Sequence, residues 1–338
     1  MKLQKAFTKS GFIKGMSRFI FILTFLICTQ PILAADKVTL RLNWTIIGEH
    51  VGVYNALAKG FYSAEGIDLT VGEGTGAGNT VQLVGNKSEM FGLADASSLI
   101  IAAAKGVPVI TVASIMNQSP FVIVSLEETG IRVPKDLEGK KIAATAGDAL
   151  TQTLPAVFNA NNVDKNKVSI IYMDPAAKIP AVMQKRVEAL IGGTTAQAIQ
   201  LETLGAKISM IKYADYGVNT VAHGLITHLN MVKENPNLIQ RMVKATVRGY
   251  EDALKPENEA AAVAATVKAK VGTETITIKR QWEEFKKCLF SSKAENRIVG
   301  WASRADWETT LAILKEYREL KTDRQATSFY TNDFIVKP

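Results

Sequence analysis

Cysteine is almost absent from this chain: the 338 residues contain two, Cys28 and Cys288. No disulfide framework and no cysteine-based metal site can be built from so few, so the fold must hold by its apolar core. Histidine is scarce as well. His50, His223 and His228 stand far apart at no metal-ligand spacing, so each reads as a structural or single hydrogen-bonding residue, with His50 in the best loop position. The sequence also lacks a G-x-S-x-G elbow, an H-E-x-x-H pair and the Gly-Lys-Ser/Thr ending of a phosphate-binding loop. The common local signatures of hydrolases and nucleotidases are therefore missing, and no cofactor is indicated.

Acidic residues are missing from the amino end, where Asp36 is the first. Before it come Lys2, Lys5, Lys9, Lys14 and Arg18, then the apolar run from Phe19 to Cys28, with the small residues Ala34 and Ala35 after Pro31. A basic stretch followed by an apolar run shorter than the roughly 20 residues of a spanning helix predicts a removable export signal over residues 1–35. An uncleaved anchor is the alternative. Cleavage is expected after Ala34 or Ala35, which places the mature chain in the periplasm. Lipidation at Cys28 is discounted, because Ile27 stands where a small residue is needed. The segment's five basic residues account for five of the eight formal positive charges, leaving +3 on the remainder. No Lys/Arg block with interleaved aromatics follows, so nucleic acid is excluded as a partner.

What remains is about 300 residues in a chain of 47% hydrophobic composition, enough for two lobes. From Val38 short β-rich runs alternate with helical stretches: Val38–Leu42, Ile67–Val71, Met90–Leu93 and Val109–Ser114 as strands, with helices between. A second series has strands at Lys141–Thr145, Val168–Tyr172, Ala189–Ile191 and Ile208–Tyr213. This alternation predicts two parallel sheets covered by helices. Phe121–Ser125 and Val221–Thr227 read as crossings between lobes, and from Asn237 onward the apolar spacing is helical.

Ligands of open α/β sheets sit beyond the carboxyl ends of strands, which directs attention to the loops there. They contain Asn43 and Trp44; Gly48-Glu49-His50; the glycine-rich run from Glu73 to Thr80; Asp95; Gln118; Gly147 to Thr151; Gly192-Gly193; and Asp215-Tyr216-Gly217. Gly72, Gly74 and Ala77 fit G-x-G-x-x-A with Asp95 about 20 residues on. The match follows the second strand rather than the first and sits in a loop where glycine spacings coincide by chance, so a dinucleotide site is set aside. The glycines are expected instead to bring backbone N–H groups to a ligand, with Asn79 and Thr80 opening a helix toward an acceptor. Trp44 offers an indole for stacking, and Tyr216 is expected to face it from the second lobe. Trp282, Trp301 and Trp307 lie in the helical tail and read as packing residues, as does Cys288.

The run Leu42-Asn43-Trp44, Gly52-Val53-Tyr54-Asn55-Ala56-Leu57-Ala58-Lys59-Gly60-Phe61-Tyr62, Gly66-Ile67-Asp68-Leu69, then Phe91-Gly92-Leu93-Ala94-Asp95, Gly106-Val107-Pro108-Val109 and Pro134-Lys135-Asp136-Leu137-Glu138-Gly139-Lys140-Lys141 resembles the NMT1/THI5-like group of ABC-transporter solute-binding proteins. Tyr330-Thr331-Asn332-Asp333-Phe334 also resembles that family's carboxyl end. The resemblance implies an α/β periplasmic-binding-protein fold of class II type, with two lobes joined by two crossovers. One lobe would hold 36–124 plus 222–338, the other 125–221. It implies a monomer that closes on a small solute and delivers it to a membrane permease. It further implies that Trp44, the 74–79 loop with Gly76 and Asn79, Asp95, Gln118, Thr151, Gly193 and Tyr216 line the cleft; the loop argument adds His50.

Trp44 and Tyr216 favour a planar or heteroaromatic solute with a polar or acidic group, of thiamin-precursor pyrimidine or aromatic-acid type. The cleft loops contain no Arg, which disfavours the alternative, a sulfonate, nitrate or other small anion. A second alternative is enzymatic. The yeast-type members of the group are intracellular pyrimidine synthases using an internal histidine and an iron-binding cysteine cluster, and this chain has neither that cluster nor an intracellular start. A third, an exported scaffold or adhesin, leaves the polar loops unexplained.

Overall fold

The computed structural model describes residues 34–291 and 297–336. The expected export segment, Cys28 included, lies outside the described residues apart from its last two positions.

Among the described residues, ten strands form two five-stranded sheets. The first contains β1 (Asp36–Arg41), β2 (Ile67–Gly72), β3 (Phe91–Asp95), β4 (Val109–Ser114) and β10 (His223–His228), in the order β2-β1-β3-β10-β4. The second contains β5 (Phe121–Leu126), β6 (Lys141–Ala144), β7 (Ser169–Tyr172), β8 (Ala189–Gly193) and β9 (Ile208–Lys212), in the order β7-β6-β8-β5-β9. β1 runs parallel to β2 and β3, and β6 parallel to β7 and β8, as helical crossovers require.

The sheets are mixed rather than wholly parallel. β10 lies antiparallel between β3 and β4, and β5 antiparallel between β8 and β9. Each is the strand that enters a sheet directly from the other lobe, without the α-helical crossover that returns a chain to run parallel. Phe121–Leu126 and His223–His228 are thus inner strands of the two sheets, not the crossings expected at Phe121–Ser125 and Val221–Thr227. The crossings occupy 115–120 and 217–222, and they touch: Ile115 N and Met116 N both donate to the carbonyl of His223, at 3.1 and 2.9 Å, and Ser119 N donates to Asn219 Oδ1 at 3.3 Å.

The carboxyl-terminal helices return to the first lobe. In the helix Pro236–Ala253, the buried stripe Leu238, Ile239, Met242, Val243, Thr246, Gly249, Tyr250 and Ala253 has helical spacing; Asn235 caps Leu238 N, and Pro236 sits in the first turn. It packs against the helix Val51–Ala58 at a glycine contact. A Cβ on Gly249 would stand 2.2 Å from the Gly52 carbonyl oxygen, and one on Gly52 the same distance from the Tyr250 ring. Trp282 and Phe285 of the helix Thr275–Cys288 stack with centroids 5.0 Å apart beneath Tyr250, so Trp282 is a packing residue, as its tail position suggested. The helix Arg304–Tyr317 bridges both lobes, with Trp307, Leu311 and Leu314 in one apolar cluster with Leu99 of the first and Leu154 and Val157 of the second. Each such fully buried large apolar side chain contributes roughly 1.5–3 kcal/mol.

Candidate functional site

The parallel strands of both sheets point their carboxyl ends at one another, and the loops beyond them enclose a cleft with about 500 Å³ of unfilled space, its mouth included. The first lobe contributes Asn43 and Trp44 beyond β1, Glu49, Ala77, Asp95 at the end of β3, Met116 and His223; the second contributes Phe121, Asp148 to Leu150, Lys178, Gly193, Ala196 and Gln197.

Trp44 is half-buried, and from across the cleft Lys178 Nζ lies 5.1 Å from its ring centre. Lys178 starts the helix Lys178–Met183, is 1% exposed, donates to the Ile191 carbonyl at 2.8 Å, and stands 3.9 Å from Asp148 Oδ2. Asp148 caps the helix Ala149–Ala160, its Oδ1 accepting Thr151 N at 2.6 Å. Burial pushes the Asp148 carboxyl up and the Lys178 ammonium down, and the charge of each opposes the shift of the other.

On the first lobe, Glu49 accepts a hydrogen bond from Thr195 Oγ1 of the second lobe, and its Oε2 lies 3.4 Å from His223 Nδ1. Burial raises the Glu49 carboxyl, but the bonds from His223 and Thr195 and the adjacent imidazoles outweigh it and hold the group below its ordinary value. Asp95 faces His223 across the β3–β10 pair. Burial pushes it up to about 7; His223 opposes the rise, and the charges of Glu49 and Asp148 add to it. The lining thus holds three carboxyl groups, of which Asp148 is the one beside the buried Lys178 ammonium.

The expected site residues divide three ways. Trp44, Asp95 and Gly193 line the cleft. His50 stands one layer behind: its Nδ1 accepts Ile47 N at 3.2 Å, which leaves Nε2 to donate to Asn43 Oδ1 at 2.9 Å, and burial lowers its pKa to about 3. Gly76 precedes the lining residue Ala77 and touches the second lobe.

The other four lie elsewhere. Asn79 Nδ2 donates to Thr75 Oγ1 on the exposed side of the loop. Gln118 turns away to the Phe290 carbonyl, behind the crossings. Thr151 is held by the Asp148 cap and borders an outer depression with Phe158 and Tyr317. Tyr216 follows the edge strand β9, and its hydroxyl donates to the Arg132 carbonyl at 3.4 Å, away from the cleft. The second lobe's aromatic in the lining is Phe121, braced edge-on by Tyr213 with centroids 6.0 Å apart.

The glycine-rich loop also differs from expectation. Gly74 N donates to the Trp44 carbonyl, Gly78 N to the Gly147 carbonyl, and Asn79 N and Thr80 N to the Gly76 carbonyl. These amides are engaged within the protein, so they do not present a row of donors to a solute. Glycine is required for close approach: a Cβ on Gly74 would stand 1.9 Å from the Leu42 carbonyl oxygen, and Gly76 has φ +142° against the Gly147–Asp148 backbone.

Sequence reasoning placed Glu49 and Asp148 in candidate loops without singling them out, and missed Lys178 and His223 as lining residues. Asp148 carried a signal, an N-capping position directly after a strand; Lys178 carried none.

Comparison with known proteins places this geometry among relatives. A family model described as NMT1/THI5 like matches residues 47–260. The riboflavin-binding protein RibY of Chloroflexus aurantiacus is 22% identical over 90% of this chain and 87% of its own length. The 4-amino-5-hydroxymethyl-2-methylpyrimidine phosphate synthase THI12 of Saccharomyces cerevisiae is 23% identical, covering 90% of each chain. The formylaminopyrimidine-binding protein of Halalkalibacterium halodurans is 23% identical over 81% of this chain and 87% of its own. Among solved structures, the periplasmic aliphatic sulphonate binding protein SsuA of Escherichia coli superposes with a TM-score of 0.65 at 15% identity, covering 87% of this chain and 97% of that one. The fold is the periplasmic-binding-protein fold.

Proposed function

The chain belongs to the NMT1/THI5-like family, and from that premise we propose that it is the periplasmic solute-capturing component of an ABC importer, taking a neutral or cationic planar heteroaromatic solute of pyrimidine type. The observation that carries this reading is the cleft lining: an indole at Trp44 and a phenyl at Phe121 beside Glu49, Asp95 and Asp148, with Lys178 as the one buried ammonium among the lining residues. Aromatic faces suit a planar ring, and the carboxyl groups suit its N–H donors or positive charge. A sulfonate, nitrate or aromatic carboxylate would meet those same three carboxyl groups against a single lysine. The acidic solutes allowed by the sequence are therefore the less favoured part of the range.

Two relatives whose names specify pyrimidines, one of them a binding protein, support the solute class. The yeast relative is a synthase. Against an enzymatic role here stands the absence of a cysteine cluster: Cys288 is the single cysteine after position 28, and burial pushes its thiol up to about 12. Capture works through differential affinity. A solute touching Trp44 and Lys178 together contacts both lobes in the closed form alone, and so shifts the population toward the shape a permease recognises.

Thermal-shift and calorimetric titration against pyrimidines, flavins, aromatic acids, alkylsulfonates and nitrate tests the reading. A solute at one hundred times its Kd stabilises the folded state by about 2.7 kcal/mol. Stabilisation by the neutral or cationic planar compounds is expected; stabilisation by nitrate or alkylsulfonates alone would overturn it.

A further inference from the structure

The second lobe presents two groups to the cleft whose hydrogen-bonding capacity the protein leaves partly unused. Asp148 spends Oδ1 on the helix cap, while Oδ2, fully buried, accepts no hydrogen bond. Lys178 spends one N–H on the Ile191 carbonyl, and an ammonium carries three. Both side chains line the cleft, both are at most 2% exposed, and the free acceptor and the remaining donors stand 3.9 Å apart. Trp44, 5.1 Å from Lys178 Nζ, supplies an aromatic face beside them. Leaving a buried acceptor unmatched is costly, which marks Oδ2 as a position that a bound molecule is suited to satisfy.

We propose that Asp148 and Lys178 read one edge of the solute, an edge on which a hydrogen-bond donor and an acceptor occupy neighbouring ring positions. The donor N–H goes to Asp148 Oδ2 and the acceptor takes an N–H from Lys178 Nζ. This edge exists in a lactam, where ring N–H adjoins C=O, and in an aminated ring, where the exocyclic N–H₂ adjoins a ring nitrogen. Aromatic acids and sulfonates lack it. The proposal deepens the planar-heterocycle reading and rests on it. It makes Asp148 and Lys178 specificity-determining residues, while the aromatic walls recognise planarity in general.

Calorimetry on the purified protein with two matched pairs tests this: pyrimidinone with its N-methyl derivative, and aminopyrimidine with its dimethylamino derivative. At least one parent is expected to bind about tenfold or more tightly than its methylated partner, because methylation deletes the donor and strands the acceptor; the pair that discriminates tells lactam from aminated ring. Asp148→Asn keeps a side-chain oxygen for the Thr151 cap but replaces the free acceptor with a donor. In that variant discrimination within the pair is expected to collapse to below about threefold. Lys178→Met is expected to weaken the parent and the methylated compound alike; should it fail to fold, the comparison of wild type with Asp148→Asn decides alone. Equal binding of parent and methylated compound by the wild type would overturn the proposal while leaving the planar-solute reading intact. So would discrimination that persists in Asp148→Asn, since the methyl group would then be excluded by shape. Failure of every planar compound to bind would instead overturn the reading on which the proposal rests.

Discussion

Lys178 of the second lobe holds its Nζ 5.1 Å from the centre of the Trp44 indole of the first, and the two residues meet across a boundary that separates them by more than 130 positions in sequence. In the proposed role the contact couples recognition to closure, since neither lobe alone possesses both groups.

Trp44→Ala is therefore expected to weaken a planar solute about tenfold or more, some 1.4 kcal/mol, with no change in secondary structure. Trp44→Phe should recover part of the loss. Calorimetry with circular dichroism on the same samples checks both; undiminished affinity in Trp44→Ala would remove the indole from the site.

Glu49 and Thr195 form a second link between lobes, buried beside His223. Thr195→Val deletes the donor at nearly constant shape and leaves a buried carboxylate short of one bond, a loss of about 1–3 kcal/mol in the closed form. Solute affinity should fall roughly tenfold. Small-angle scattering should show a larger radius of gyration for the unliganded variant than for the wild type.

Asp95 gives stability a pH dependence of unusual sign. Its carboxyl ionises at about 7 in the folded protein and near 3.9 when unfolded, so between these values the folded state binds the extra proton. Its contribution is thus most favourable below about pH 4, declines as pH rises toward 7, and is constant above. Asp95→Asn should flatten this component and raise the midpoint of thermal unfolding at pH 8 relative to wild type. A lower midpoint at pH 8, with the slope kept, would show that the carboxylate is stabilised by its neighbours.

Gly52→Ala tests the helix contact behind the site. The added methyl would penetrate the Tyr250 ring, which cannot move without disturbing Trp282 and Phe285. Overpacking of this kind costs about 1–3 kcal/mol, measurable by urea denaturation.

The alternation of strands and helices was legible because period and length distinguish them, and the helical stripe after Asn237 was equally plain. Strand direction was not. Phe121–Leu126 and His223–His228 have the same apolar character in either orientation, and what turns them round is their arrival from the other lobe. In the site, Trp44 and Asp95 were legible because they follow strands near the middle of a sheet. Tyr216 follows a strand too, but β9 is an edge strand, and its loop leads outward to Arg132. Lys178 was hidden for a different reason. A lysine in the first turn of a short helix is ordinarily a solvated residue, and burial against Ile191 and Asp148 is a property of the assembled lobes.

The two crossings that meet on the carbonyl of His223 have one more effect. Hinged doors with separate pivots can twist and slide; a door whose straps are fastened at one pin can chiefly swing. Ile115, Met116 and the start of β10 are joined at that point, an arrangement that favours a swing of one sheet against the other over a slide. Under the proposed importer role, occupancy of the cleft is then encoded in one number, which a permease engaging both lobes would read from outside without touching the solute.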